Sequence, residues 1–183
     1  MGQNADGVRF ANIVMPYLAD AFALARWLSG NAADAEDIVQ EASLRAYRGI
    51  NTYSGGDARA WVLTIVRNTA YTWLAQNRSV RLVSIDGASW TEREKIEQTA
   101  QGADYSNATT PETELILKVD AARLQAAIGA LPLEFRETFV LREVYEFDYR
   151  QIAEMTKAPL GTVMSRLARA RRRLIEALGG EGA

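Results

Sequence analysis

At 183 residues and 48% hydrophobic content, the chain can bury one ordinary core or two small ones, which argues against wholesale disorder. It contains no Cys and no His. Disulfides, thiol redox chemistry, the common zinc sites, imidazole acid–base catalysis and Ser-His-Asp triads are therefore excluded; only an enzyme built on carboxylates would survive.

The net charge is −2, and its distribution is more informative than its size. Between Asn31 and Glu41 lie four acids (Asp34, Glu36, Asp37, Glu41) and no base. Between Tyr149 and Ile175 lie seven bases and a single acid, Glu154. Such asymmetry points to two different partners. The segment Met1 to Asp6 is small and polar, without a basic flank and apolar run, so no secretory signal is read and a cytoplasmic location is expected. The apolar stretches read as shorter than the ~20 residues of a membrane span, so no membrane insertion is expected.

Apolar residues recur at helical spacing and period-two alternation is absent, which predicts an all-α chain. A first helix is predicted over 10–28, with Val14, Leu18, Ala21, Ala25 and Leu28 on one stripe; Ser29-Gly30-Asn31 breaks it. A second, over 33–48, turns Ala35, Ile38, Val39, Ala42 and Ala46 inward. After the loop Tyr53-Ser54-Gly55-Gly56-Asp57, a third helix over 58–76 carries Trp61, Val62, Ile65, Val66, Ala70, Trp73 and Leu74. From about Ser84 to Pro111 the chain is polar and rich in small residues and reads as a linker, with a short helical piece over 91–98. Periodicity resumes at Glu112, with Leu117, Ala121, Leu124, Ile128 and Leu131 on one face, until Pro132 forces a boundary. A helix over 134–144 follows, with Phe135, Phe139, Val140 and Val144 inward.

The last elements carry the clearest signal. Asp148-Tyr149-Arg150-Gln151 has the form of a capping box and starts a short helix that Lys157-Ala158-Pro159 stops. A longer helix runs over 160–178, and the pair forms a helix-turn-helix. At ~100° per residue, Val163, Leu167, Ala170, Leu174 and Leu178 share a narrow face, while Thr162, Ser165, Arg166, Arg169, Arg172 and Arg173 fall on the opposite half. The early residues of such a helix suit base edges in the major groove, and the later arginines suit phosphates. A basic face can also be merely solvated.

The strings from Leu133 through Val144, Tyr149-Arg150-Gln151-Ile152-Ala153-Glu154, and Gly161-Thr162-Val163-Met164-Ser165-Arg166-Leu167 through Arg171 together resemble the promoter-reading domain of extracytoplasmic-function sigma factors. Met164 and Ala168 depart from the family, which often has a base and a bulky ring there. Asp34-Ala35-Glu36-Asp37-Ile38-Val39-Gln40-Glu41-Ala42 resembles the segment with which sigma factors grip a coiled coil of the polymerase. The resemblance implies that Asp37, Gln40 and Glu41 meet basic residues of core RNA polymerase, with Ile38 packing beneath. Acids at a helix start are also favoured by the macrodipole with no partner at all.

Ala60-Trp61-Val62-Leu63-Thr64-Ile65-Val66-Arg67-Asn68 resembles the segment that helps open the promoter. It implies contacts to the melted downstream element from Asn51, Tyr53, Arg59, Arg67, Asn68 and Arg78, since aromatics with nearby bases suit unstacked strands. Thr72, Ala75 and Gln76 depart from the family there.

The resemblance implies two small helical domains. The first, 8–82, is a three- to four-helix bundle that binds core polymerase and the −10 element. The second, 112–180, is a four-helix domain that reads the −35 element, and 83–111 joins them. The implied partners are core RNA polymerase, promoter DNA and an anti-sigma factor, with no cofactor and no covalent chemistry. A stand-alone helix-turn-helix regulator, acting as a dimer on a symmetric operator, and a sigma-mimicking decoy that binds an anti-sigma factor remain as alternatives.

Overall fold

The computed structural model describes residues 2–81 and 111–179, and the side chains of 5–77 and 120–179. The expected linker and its short helical piece lie outside the described residues, apart from Pro111, which opens a helix. The described residues are helical with no strand.

The stretch predicted as one first helix is two. Helix α1 (Gly2–Ile13) ends in a 3-10 turn at Met15–Tyr17, and α2 (Leu18–Ser29) follows. Pro16 is the cause: it has no N–H to give the carbonyl four residues back, and its ring clashes with a continuing helix. The segment Ala5–Ser29 is long and apolar enough to cross a membrane by length and composition. That corrects the expectation of shorter apolar stretches, because small apolar residues between isolated charges average to a high hydropathy. Its Ala21, Leu24, Ala25 and Leu28 are buried in the protein core.

Gly30, at φ 89°, ends α2 in the left-handed conformation that a side chain would resist. Asn31 caps α3 (Ala32–Arg48) by accepting from the Asp34 N–H at 2.8 Å. After a 3-10 turn at Ile50–Thr52 comes α4 (Ala58–Arg81), where Asp57 accepts from the Ala60 N–H at 3.0 Å. Helices α2, α3 and α4 pack on one another around Leu24, Leu28, Ile38, Ile50, Leu63 and Val66. Leu63 is fully buried, although it was absent from the predicted stripe.

The second half contains α5 (Pro111–Gly129), α6 (Leu133–Glu143), α7 (Tyr149–Thr156) and α8 (Leu160–Gly179). Its core is Ile128, Leu131, Val140, Leu141, Phe147, Ile152, Met155, Val163, Leu167 and Leu174. Several residues expected inward lie elsewhere. Leu124 and Ala121 are exposed because, among the described side chains of α5, only Ile128 in the last turn is buried. Val144 is exposed because the chain turns after α6 with Glu146 at φ 60°, which sends Tyr145 and Phe147 inward instead. Leu178 is exposed near the end of α8. Leu117 lies among the side chains that are not described.

The two halves share one continuous hydrophobic cluster. Helix α2 packs on α6, and α4 packs on α7.

Candidate nucleic-acid interface

The helix-turn-helix is built locally. Asp148 accepts from the backbone N–H groups of Arg150 and Gln151, each at 2.8 Å, and Gln151 accepts in return from the Asp148 N–H at 2.9 Å. This reciprocal cap satisfies donors that the first turn of α7 would otherwise leave open. Lys157, at φ 54°, ends α7, and Pro159 starts α8 by accepting from Thr162 and Val163. With Ile152, Met155, Val163 and Leu167 buried between them, the outer side of α8 is fixed relative to the domain.

That outer side is not uniform. Ser165, Arg169 and Arg172 are exposed. Arg169 makes no hydrogen bond or ion pair among the described residues, while Arg172 has only a long contact to Glu176 at 3.8 Å. Thr162 is half-buried, and its carbonyl accepts from the Ser165 hydroxyl. Arg166 is turned toward α6, where it pairs with Glu134 at 2.9 Å and stays only 20% exposed. Arg173 lies over the Phe135 ring at 5.5 Å. Arg171 is tied to Glu143 at 2.5 Å, and this bond holds its guanidinium above the ordinary arginine range. The free charge of α8 therefore concentrates on Arg169 and Arg172.

On α3, Asp37 and Gln40 are exposed and Glu41 is half-buried beside them, with Ile38 fully buried beneath. Ile38 can support this surface but not touch a partner. Glu41 is bonded to Arg45 at 2.8 Å, an exposed pair of small energetic weight. Leu44, one turn further along the same face, is 52% exposed. Its spacing from Gln40 and Glu41 places it beside them.

The residues expected at the downstream element are dispersed. Asn51 is exposed. Tyr53 is half-buried against Trp61 at 5.3 Å, and its carbonyl accepts from Arg9 at 2.5 Å. Arg59 donates to Asp20 at 2.7 Å and to the Tyr145 carbonyl at 3.1 Å. It also lies over the Tyr145 and Phe147 rings. Arg67 donates to both oxygens of Glu137, at 2.5 and 3.4 Å, and to Asn68 at 3.0 Å. Arg78 is on α4, with its side chain outside the described ones.

Glu137 is the acid that sequence reasoning missed. Its side chain is 0% exposed, Arg67 is 14% exposed, and the Tyr71 hydroxyl donates to it at 2.9 Å. Burial lowers the proton affinity of Arg67, but the bond and charge of Glu137 outweigh it and the net shift is upward. Burial, and then the same carboxylate, raise the Tyr71 hydroxyl. The available signal was position: Glu137 lies on the same helical stripe as Leu133, Val140 and Leu141. Among the described residues, no group of three or more acids is placed to hold a metal ion.

Residues 13–80 match the family Sigma-70 region 2, and residues 121–174 match the family Sigma-70, region 4. The chain is 34% identical over 150 residues to the ECF RNA polymerase sigma-E factor of Haemophilus influenzae, covering 81% of this chain and 75% of that protein. It is 30% identical over 175 residues to the ECF RNA polymerase sigma factor SigE of Mycolicibacterium smegmatis, covering 94% of this chain but 63% of that protein. Among solved structures it is similar to the sigma factor RpoE in complex with the anti-sigma factor NepR from Bartonella quintana. The TM-score there is 0.70 at 26% identity, over 94% of this chain and 98% of that one. The two helical domains and their order define a sigma-70-type protein, one of a class of DNA-binding transcription regulators. The chain belongs to the extracytoplasmic-function family of RNA polymerase sigma factors.

Proposed function

We propose that this chain binds core RNA polymerase and directs it to promoters, with residues 8–82 serving the polymerase and the −10 element and residues 112–180 the −35 element. The observation that carries this is the pairing, on one chain, of an exposed acidic face on α3 with a free arginine face on a capped recognition helix. Asp37, Gln40 and Glu41 meet basic groups of the polymerase, and Leu44 adds an apolar contact between them. In the major groove, Thr162, Ser165 and Arg169 face base edges while Arg172 and Arg173 face phosphates. Arg166 acts on DNA only if it leaves Glu134.

Asn51, Tyr53, Arg59, Arg67, Asn68 and Arg78 contribute to the melted downstream strand. The chain performs no covalent chemistry and works in the cytoplasm, where an anti-sigma factor holds it inactive; the structural relative bound to NepR supports that partner class.

Reconstitution with core polymerase tests the reading. Asp37→Arg combined with Gln40→Ala reverses one charge at the contact and should weaken core binding by roughly 30-fold or more. Equal binding of the variant and the wild type would remove α3 from the interface.

A further inference from the structure

We propose that Met164, with Ala168 one turn later on α8, reads the C5-methyl group of a thymine in the upstream element. This rests on the function proposed above, because it takes α8 as the helix that enters the major groove.

In the first turns of α8 the open face differs from the one that spacing assigns. Thr162 is half-buried, and Arg166 is half-buried and held by Glu134 at 2.9 Å. The exposed residues there are Leu160, Gly161, Met164, Ser165, Ala168 and Arg169. Met164 is 51% exposed and Leu160 43%, and neither belongs to the hydrophobic core cluster. A side chain begun at Gly161, one turn before Met164, would meet nothing within 4 Å, so the space on that side is open.

Leu160, Met164 and Ala168 follow one another at four-residue steps, which sets them in one row along the helix. The next member of the row is Arg172, and Ser165 and Arg169 flank it; all three are exposed. An apolar partner laid on this row would strip water from the guanidinium groups beside it without replacing their hydrogen bonds. A polyanion that carries apolar spots suits the row better. Duplex DNA is such a surface, because the one apolar group that a base shows in the major groove is the methyl of thymine.

The chemistry of the thioether sharpens the choice. It donates no hydrogen bond and accepts only weakly. Set against the polar edge of guanine or cytosine, Met164 displaces water and returns no bond of similar strength. Set against thymine, it covers a methyl group and is itself covered. Attraction to one base and a penalty against others together make Met164 a specificity-determining residue. Ala168 has no bulk to hold the base pair away.

The test uses holoenzyme reconstituted from core RNA polymerase and the full chain. Promoter duplexes are first enriched from a library randomised over the upstream element. In an enriched duplex, each thymine of that element is then replaced in turn by deoxyuridine, which removes the methyl and keeps the pairing. Affinities are measured by fluorescence anisotropy for the wild type, Met164→Ala and Met164→Leu. Residue 164 is half exposed, so neither variant threatens the fold.

For the wild type, uracil at one thymine position should weaken binding about fourfold, the worth of one buried methyl. Met164→Ala should shrink that ratio to less than about 1.5-fold, the coupling expected of two groups in contact. Met164→Leu, apolar and of similar volume, should keep most of it. With a cytosine at the same position, methylation at its C5 should recover about fourfold in affinity.

A wild type indifferent to the methyl at every thymine would overturn the inference. So would a uracil effect that persists undiminished in Met164→Ala, because another group would then read the methyl. Failure of the proposed function would look different: the library would enrich no upstream element, and that result would remove this inference along with it.

Discussion

Helices α4 and α8 are both long, both carry arginines on their outer sides, and both belong to a DNA-facing domain, yet their arginines meet opposite conditions. On α4, Arg59 and Arg67 are paired with Asp20 and Glu137 and partly covered by aromatic rings. On α8, Arg169 is free and Arg172 nearly so. Helical periodicity assigns a residue to a face, but the neighbour opposite that face decides whether its charge is available. A guanidinium on an outer stripe is open to a phosphate only while no carboxylate of the same chain holds it.

The largest expected effect is on folding. Leu63 in the first domain and Leu141 in the second are both fully buried. Either one changed to Ala should cost about 2–5 kcal/mol. Calorimetry then asks whether the domains melt together: coupling through the shared hydrophobic cluster predicts that Leu63→Ala lowers the midpoint for both, and an unaltered second transition would mean they unfold independently.

Next is the contrast within α8. Arg169→Ala should weaken duplex binding by about 1–3 kcal/mol and reduce its salt dependence. Arg166→Ala, whose guanidinium already rests on Glu134, should cost clearly less. Anisotropy titrations at several salt concentrations decide it, and equal losses would show that Glu134 does not compete.

The smallest effect concerns the cap that orients α7. Asp148→Ala removes the acceptor for two N–H groups and should cost about 1 kcal/mol of stability in urea titration. No change in midpoint would mean that Gln151 alone orders the turn.

What was legible in the sequence was local. The capping box at Asp148, the boundary at Pro159 and the buried edge of Val163, Leu167, Ala170 and Leu174 all follow from spacing within one or two turns, and the structure has each of them. So do the buried Ala35, Ile38, Ala42 and Ala46 of α3. Pro16 was equally visible, and its omission merged two helices into one.

The remainder depended on distance along the chain. Arg67 and Glu137 are 70 residues apart, and Asp20 and Tyr145 are 125 apart. Such pairings are set by how two domains meet, which no periodicity encodes. Leu124 fails for a related reason: an apolar stripe records what a helix can bury, not how much of its length finds a neighbour.

In the proposed function, acids near the start seat the chain on polymerase while arginines near the end read duplex DNA. Run-off transcription by core polymerase on a library of promoter fragments tests it most directly. With the wild type, transcripts should arise from a subset of templates sharing an upstream and a downstream element, and Arg169→Ala should change which upstream elements are used. Transcripts that neither depend on the added chain nor change with Arg169 would contradict it.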